Sequence, residues 1–328
     1  METAGQLAKS GCRVTLVEKE EKAGGHINNW YHLFPDRRNG AEVIDYLNDK
    51  VNIPDLTLLT GTRIDDIEKN KKGFIVKTNK GTEIKADAIV IATGFDLFRS
   101  ERKEEYGYGI YDNVITSADL EMKFRSGALK LINGESPKRI GIVHCVGSRD
   151  EKVGNLYCSK LCCVTAVKQA IEIKEYLPES RVFCFYMDMR MGGALYEELY
   201  MEAQEKYGIS FIRGKVSEVG ESIRNNLVVK VEDTLAGRPL KMELDMLVLM
   251  AGMEISEGSK KIGLSLALRT GENRFFQGRD NHFGSNLSNV DGVFYAGTCT
   301  APMNITETIS HARAAVSEVM DYLKDGRI

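Results

Sequence analysis

At 328 residues the chain is long enough for two domains of ordinary size, each with its own core. Its 43% hydrophobic and 28% charged residues are an ordinary soluble balance, and a formal net charge of −3 gives no argument for nucleic acid or an anionic membrane surface as a partner. No apolar run approaches the roughly 20 residues that span a bilayer, so direct membrane insertion is not expected, and seven cysteines, odd in number with four clustered, do not read as a secreted disulfide framework; the expected home is a reducing cytoplasm.

The opening METAGQLAKSG predicts a short helix with Met1, Ala4, Leu7 and Ala8 on one face and Gly11 just past its end. RVTLVEKE then predicts a strand finishing near Glu18-Lys19, followed by Gly24-Gly25 and His26. Helix, strand and terminal acid form the second half of a dinucleotide-binding βαβ unit, in which an acid about 20 residues past a glycine-rich turn binds a ribose hydroxyl. The first strand and its G-x-G-x-x-G turn are expected to have been lost by truncation ahead of Met1; a plain helix–strand pair over residues 1–25 is the alternative.

A helix is predicted over Gly40 to Val51, then short strands at LTLLTG, GFIVKTN and TEIKADAIVIATG. The last runs into Ala92-Thr93-Gly94, as a buried parallel strand does where it meets a cofactor. Residues 95–135 read as a mixed, polar crossover. A second α/β unit follows: strand RIGIVHC, helix CSKLCCVTAVKQAIEIKEYL, strand RVFCFYMD, helix GALYEELYMEAQEKYG and strand ISFIRG. From Lys215 to Met250, alternation predicts a β-meander that returns to the sheet. The end of the chain predicts strand, turn and long helix, with Asn304 and Glu307 spaced as a cap and its reciprocal partner. The expected fold class is α/β: two Rossmann-type domains, the second inserted in the first, plus a meander. Residues 1–110 and 256–328 would form the first domain and 111–255 the insert.

Strand-ATG in the middle and strand-AGT-helix at the end resemble two-dinucleotide-domain flavoproteins of the thioredoxin-reductase-like kind. In those, the last strand ends on Gly-Asp, whose acid bonds the flavin ribityl chain; here the pair is Gly297-Thr298, a hydroxyl in place of the carboxylate. The last helix would aim its positive end, around Asn304, Ile305 and Thr306, at the flavin and stabilise its anionic reduced form. FAD is therefore an expected cofactor, held by Glu18, Lys19, Gly24, Gly25, His26, Ala92, Thr93, Gly94, Gly297, Thr298, Asn304, Ile305 and Thr306. The other reading of this end is a helix that only covers a sheet.

The second domain breaks the pattern. Where related reductases carry G-x-G-x-x-G after the first strand, this chain reads CVGSRDEKVGNLYCSKLCC, with Cys145, Cys158, Cys162 and Cys163 spaced C-x12-C-x3-C-C. Thiolates select iron–sulfur clusters, zinc or copper(I), and four of them match the ligand set of a cubane cluster. Cys158 and Cys162 are expected to share one face of the helix, with Cys163 a step around and Cys145 arriving from the strand end. Zinc prefers C-x2–4-C pairs, and simple buried or redox thiols are a third reading. Asp188, at a strand end, reads as a solvated turn residue rather than a ribose ligand. Cys12, Cys184 and Cys299 read as packing residues, and His144 as a core or exposed histidine.

The cysteine run, with FYMDMR, YEELYMEAQEKYGISFIRG and the closing AGTCTAPMN, resembles the A-subunit of heterodisulfide reductase over nearly the whole chain. The resemblance implies FAD and a [4Fe-4S] cluster ligated by Cys145, Cys158, Cys162 and Cys163. It implies other heterodisulfide reductase-like iron–sulfur subunits as partners, with a homodimer as a further arrangement. The chain lacks the C-x2-C-x2-C-x3-C ferredoxin runs of the methanogen enzymes and the cysteines that longer relatives carry after the position of Gly25. The expected function is electron transfer in a heterodisulfide reductase-like complex of sulfur or energy metabolism. The alternatives are a pyridine-nucleotide-dependent disulfide oxidoreductase and a non-catalytic flavoprotein scaffold with a zinc loop. No residue reads as catalytic from the sequence.

Overall fold

The structure, a computed structural model, describes residues 1–223 and 226–324. The chain divides into two compact units: Met1–Asn28, Ala41–Asp96 and Glu254–Ile328 form the first, Asn29–Gly40 and Leu97–Met253 the second.

In the first unit, the helix Glu2–Lys9 buries Ala4, Leu7 and Ala8, as its apolar spacing predicts. Gly5 allows its close packing, since a Cβ there would lie 2.4 Å from the carbonyl oxygen of Lys50. Strand Val14–Val17 pairs in parallel with Leu56–Leu59, and Ile89–Ile91 pairs in parallel with Val293–Tyr295. The long helix Ile305–Lys324 packs its Val319 against Leu7 and Phe294. An antiparallel sheet, Ile64–Asn70, Gly73–Thr78 and Glu83–Ala86, completes the unit. The first of these strands was not predicted, because IDDIEKN fully buries only Ile67.

The second unit is built on an open five-stranded parallel sheet. Its strands run in the spatial order Val114–Thr116, Met246–Ala251, Arg139–Val146, Arg181–Tyr186, Ser210–Arg213. Alternate residues serve opposite faces, as strand geometry requires. Ile140, Ile142, Cys184, Met246 and Val248 join one core with the helices Cys162–Tyr176 and Tyr196–Glu205. Val143, Phe183, Phe185, Leu247 and Leu249 join another under the antiparallel strands Val216–Glu221, Leu227–Asp233 and Arg238–Leu244. The meander therefore covers one face of the sheet before the chain returns to it.

Two boundaries differ from expectation. The insert begins at Leu97 rather than 111 because Phe98 and Tyr106 are core residues of the second unit. Residues 29–40 also go with it: Phe34 meets the Tyr196 ring edge-on at 5.5 Å, and Arg37 donates to Glu202 at 3.0 Å. The stretch 95–135 is not merely a crossover, since it contains strand Val114–Thr116 and helix Ser117–Ser126. A capping box opens that helix: the Asp119 amide donates to Thr116 Oγ1 at 3.2 Å, and the Thr116 amide to Asp119 Oδ2 at 2.8 Å. Thr116→Ala is expected to cost about 1 kcal/mol, read as a lower urea midpoint with an unchanged slope.

Candidate functional site

Open parallel sheets bind ligands beyond the carboxyl ends of their strands, where the strand order reverses. In the second unit that point lies between Arg139–Val146 and Met246–Ala251. The register between these strands slips between Val143 and Val146, a bulge that holds His144 and Cys145. Cys145 has φ 59°, Arg149 φ 54° and Lys160 φ 62°. Three of the seven non-glycine residues with positive φ among the described residues thus fall within this one loop. Each costs about 1–3 kcal/mol, and such strain collects at functional sites.

The loop is held in this strained form by its own bonds. The Ser148 amide donates to Cys145 O at 3.1 Å, and the Arg149 amide to Tyr157 O at 3.0 Å. Asn155 Nδ2 donates to Gly147 O at 2.9 Å. Ser148 and Ser159 share a hydrogen bond of 2.5 Å, and the Met253 amide donates to Ser159 Oγ at 2.8 Å. Gly147 has φ 76°, and a Cβ there would lie 2.1 Å from the Phe98 ring, so no other residue fits.

The loop delivers four thiols to one neighbourhood. Cys145, Cys162 and Cys163 are buried and Cys158 is half-buried. The helix starts at Cys162 with no side-chain cap, so its free N–H groups lie where Cys162 and Cys163 are. Cys158 is not on this helix, contrary to expectation. The left-handed Lys160 breaks the run, and the Lys160 amide donates to Cys158 Sγ at 3.3 Å. The Cys162 thiol bonds Cys145 and favours its thiolate; that bond, with the nearby Arg149 and Arg190 charges, outweighs burial and holds Cys145 below the usual thiol range. The same bond and burial push Cys162 well up, and burial pushes Cys163 up to about 11. Among the described residues, no three His, Cys, Asp or Glu side chains converge on a single ion. A cubane asks for something different, one thiolate for each of its irons at separate corners.

Sequence reading missed the charged ring around these thiols. Asp188 is not a free turn residue: it accepts from Arg149 Nη2 at 2.7 Å and Arg213 Nη2 at 3.4 Å, and its carbonyl accepts from Cys163 Sγ at 3.6 Å. Further along the same helix, Lys168 is buried and donates to Glu121 at 2.5 Å and His32 O at 2.9 Å, with Glu172 at 3.1 Å.

His144 is a core histidine, with neither ring nitrogen hydrogen-bonded among the described residues, and burial pushes it down to about 3. Its pKa is lower folded than unfolded, so the unfolded chain binds the extra proton once pH falls below about 6.5. Stability is expected to drop by about 2 kcal/mol between pH 7 and about pH 5 from this group alone. Urea unfolding at both pH values checks it, and His144→Leu should flatten that slope.

In the first unit, pairing of Ile91 with Tyr295 brings the two small-residue turns together. Gly94 lies beside Thr298, whose Oγ1 would be 3.8 Å from a Cβ on Gly94. Thr93 shares a hydrogen bond with Ser259, and His26 stacks on Phe95 at 4.5 Å with its Nε2 2.9 Å from Phe95 O. Ala92, Thr93, Gly94, Gly297, Thr298 and His26 therefore form one group. Gly24, φ 118°, and Gly25, φ 58°, form the turn leading into His26. Glu18 and Lys19 stand apart, at the end of the other parallel pair, where the Glu18 amide bonds Leu59 O and Glu18 Oε1 accepts from the Glu20 amide. Asn304 and Glu307 make the reciprocal cap at 3.0 and 2.8 Å, ahead of Ile305 and Thr306 in the first turn. His311 was missed: its Nδ1 accepts from the Gly297 amide at 2.9 Å and fixes that turn.

A model of the pyridine nucleotide-disulphide oxidoreductase family matches residues 1–107. The A-subunit of the H(2)/formate:CoB-CoM heterodisulfide,ferredoxin reductase of Methanococcus maripaludis is 39% identical over 251 residues, 74% of this chain and 38% of that protein. The iron-sulfur A-subunit of the CoB–CoM heterodisulfide reductase of Methanocaldococcus jannaschii is 38% identical over 252 residues, 75% of this chain and 38% of that protein. The chain thus spans somewhat over a third of the length of these relatives. Among solved structures, thioredoxin reductase of T. acidophilum aligns with TM-score 0.69 at 18% identity, covering 99% of this chain and 94% of that one. Thioredoxin reductase of Lactococcus lactis aligns with TM-score 0.68 at 16% identity, covering 99% and 95%. At such identities the likeness carries the fold, which is Rossmann-type and thioredoxin-reductase-like. Over the 75% of its length that matches these relatives, the chain belongs to the A-subunit family of heterodisulfide reductase.

Proposed function

We propose that this chain is an electron-transferring flavoprotein subunit that carries FAD in its first unit and a [4Fe-4S] cluster on Cys145, Cys158, Cys162 and Cys163. The observation that carries the reading is that the ligand end of the second unit's sheet bears four neighbouring thiols where a nucleotide-binding domain carries glycines. The fit of the group rests on the donor set: Cys145, Cys162 and Cys163 are buried thiols, the Cys163 thiol donates to Asp188 O, and among the described residues a buried N–H of Arg149 has no partner.

When bound, the flavin would supply two-electron chemistry and the cluster one-electron chemistry. The chain's own residues hold and insulate. The Ser148–Ser159–Met253 bonds fix the cysteine loop, and Phe98 under Gly147 closes it from below. The Gly94 and Gly297 turns would admit a flavin backbone-close, with Thr298 offering its hydroxyl to the ribityl chain and the amides of Ile305 and Thr306 their positive end. Gly24, Gly25 and His26 would line the same cofactor, with Glu18 and Lys19 at its ribose.

The partners are other iron–sulfur subunits of a heterodisulfide reductase-like complex, in a reducing cytoplasm where thiolate ligands persist. No described helix is long and apolar enough to cross a membrane. The match of residues 1–107 to the pyridine nucleotide-disulphide oxidoreductases favours a second reading, a nicotinamide-dependent disulfide reductase. Anaerobic protein should show flavin absorption with about four irons per chain and resist rapid bleaching by NADPH alone. Flavin without iron, bleached by NADPH, would establish the second reading instead.

A further inference from the structure

We infer that Arg149, held in place by Asp188, is a fixed hydrogen-bond donor and cation for the thiolate-bound cluster and sets its reduction potential. The inference rests on the cluster assignment above. Arg149 sits four residues after Cys145 and nine before Cys158, in the loop that carries both. Its backbone is locked in the left-handed region, with its amide on Tyr157 O at 3.0 Å. One guanidinium nitrogen, Nη2, is bound to Asp188 at 2.7 Å; the other, Nη1, is buried and has no hydrogen-bond partner among the described residues. A buried guanidinium N–H left unpaired costs free energy unless an acceptor arrives with a ligand. The loop that carries Arg149 also carries Cys145 and Cys158, so the acceptor chemistry this loop can gather around a ligand is thiolate or sulfide.

Asp188 is the positioning residue. It grips Arg149 from one oxygen and Arg213 from the other, and Arg213 is anchored by donating Nε–H to Met187 O at 3.1 Å. Its carbonyl also meets the Cys163 thiol, so one residue registers the guanidinium against the cysteine quartet. One-electron reduction of a bound cluster, balanced by one-electron oxidation of a bound reduced flavin, would add one negative charge among the four thiolates without breaking a bond. A fixed cation and a hydrogen bond to sulfur both favour that more negative state, and cluster potentials respond to both.

The test is an EPR-monitored dithionite titration of anaerobic full-length protein, with iron measured on each sample. Arg149→Gln should keep its iron and shift to a more negative midpoint, with the reduced-to-oxidised ratio at fixed potential falling about tenfold, or about 59 mV for one electron. Arg149→Lys keeps the charge but loses the forked donor, and should fall between. Arg213→Gln removes the same charge on the far, half-exposed side of Asp188 and should shift less than Arg149→Gln. An iron-replete Arg149→Gln with the wild-type midpoint overturns the inference, as does an equal shift in Arg213→Gln. Loss of iron from both Arg149 variants overturns it in favour of a purely structural arginine. Wild-type protein without iron would instead overturn the cluster assignment, whatever the arginine variants show.

Discussion

Replacing Cys162 with serine is expected to strip the protein of iron, from about four atoms per chain to below about one. Cys162 opens its helix, is 6% exposed and faces Cys145, whose hydrogen bond and burial together push its thiol well up. A serine there keeps the volume and the hydrogen bond but offers a hard oxygen in place of a soft sulfur, the wrong partner for iron–sulfur chemistry. Because the substitution is nearly isosteric, the fold should survive and the effect should be confined to the metal. Cys299→Ser is the matched control. Cys299 is fully buried in the first unit and its thiol donates to Ile91 O at 3.2 Å, a bond serine can make as well. Iron and acid-labile sulfide should be lost from the first variant and retained by the second; Cys162→Ser protein with full iron would remove it from the ligand set.

The second large effect is one of stability. Lys168→Met is expected to destabilise the second unit by about 3–5 kcal/mol, because it leaves buried carboxylates without their cation. Burial alone would push Lys168 down; Glu121 and Glu172 outweigh it and hold the ammonium charged. Glu121 is shared: it also accepts from Gln169 Nε2 at 2.6 Å and from the Tyr31 amide at 2.8 Å. His32 adds a contact to Glu172 at 3.1 Å. The network therefore fastens residues 29–40 onto two helices, and its loss should loosen that segment first. The urea midpoint reports the total, and proteolysis in 29–40 reports the place. Neutralising all three groups together, with Lys168→Met, Glu121→Gln and Glu172→Gln, should recover most of the loss, since a set removed whole leaves no orphaned charge. A triple variant as unstable as Lys168→Met would mean the cost is packing rather than charge.

These cases show what was legible in the sequence. Periodicity gave the helices at Glu2–Lys9 and Gly40–Val51 and the parallel strands of the second unit other than Val114–Thr116, because one apolar face or a continuous apolar run dictates each. Local chemistry gave the Asn304–Glu307 cap, whose two bonds span three residues. The equivalent Thr116–Asp119 box is equally local, but the polar stretch around it carries no apolar periodicity to mark a helix. Strand Ile64–Asn70 was hidden by its charges, since an edge strand in a small antiparallel sheet buries little. Helical spacing carried across Lys160 puts Cys158 on the helix, and only the left-handed backbone there reveals the break.

The site was half legible. Four cysteines in one run mark candidate ligands for a soft metal, at a strand end where the sequence carries no G-x-G-x-x-G. The Arg149–Asp188 pair beside them was not legible, because its members are 39 residues apart, and the separate Lys168–His32 contact spans 136. Pairs at such separation leave no periodic trace; topology alone joins them. His311 escaped for a related reason: on a helix of mixed polarity nothing marks the one imidazole that caps the Gly297 turn.

Mössbauer spectroscopy of anaerobically purified, iron-57-enriched protein examines the thiol quartet most directly. The expected spectrum is that of a single cubane in which all four irons carry sulfur ligands, accompanied by flavin absorption in the same sample. A protein that holds its flavin but contains only zinc, or iron whose spectrum is that of isolated ions, would contradict the assignment and return the four cysteines to a structural role.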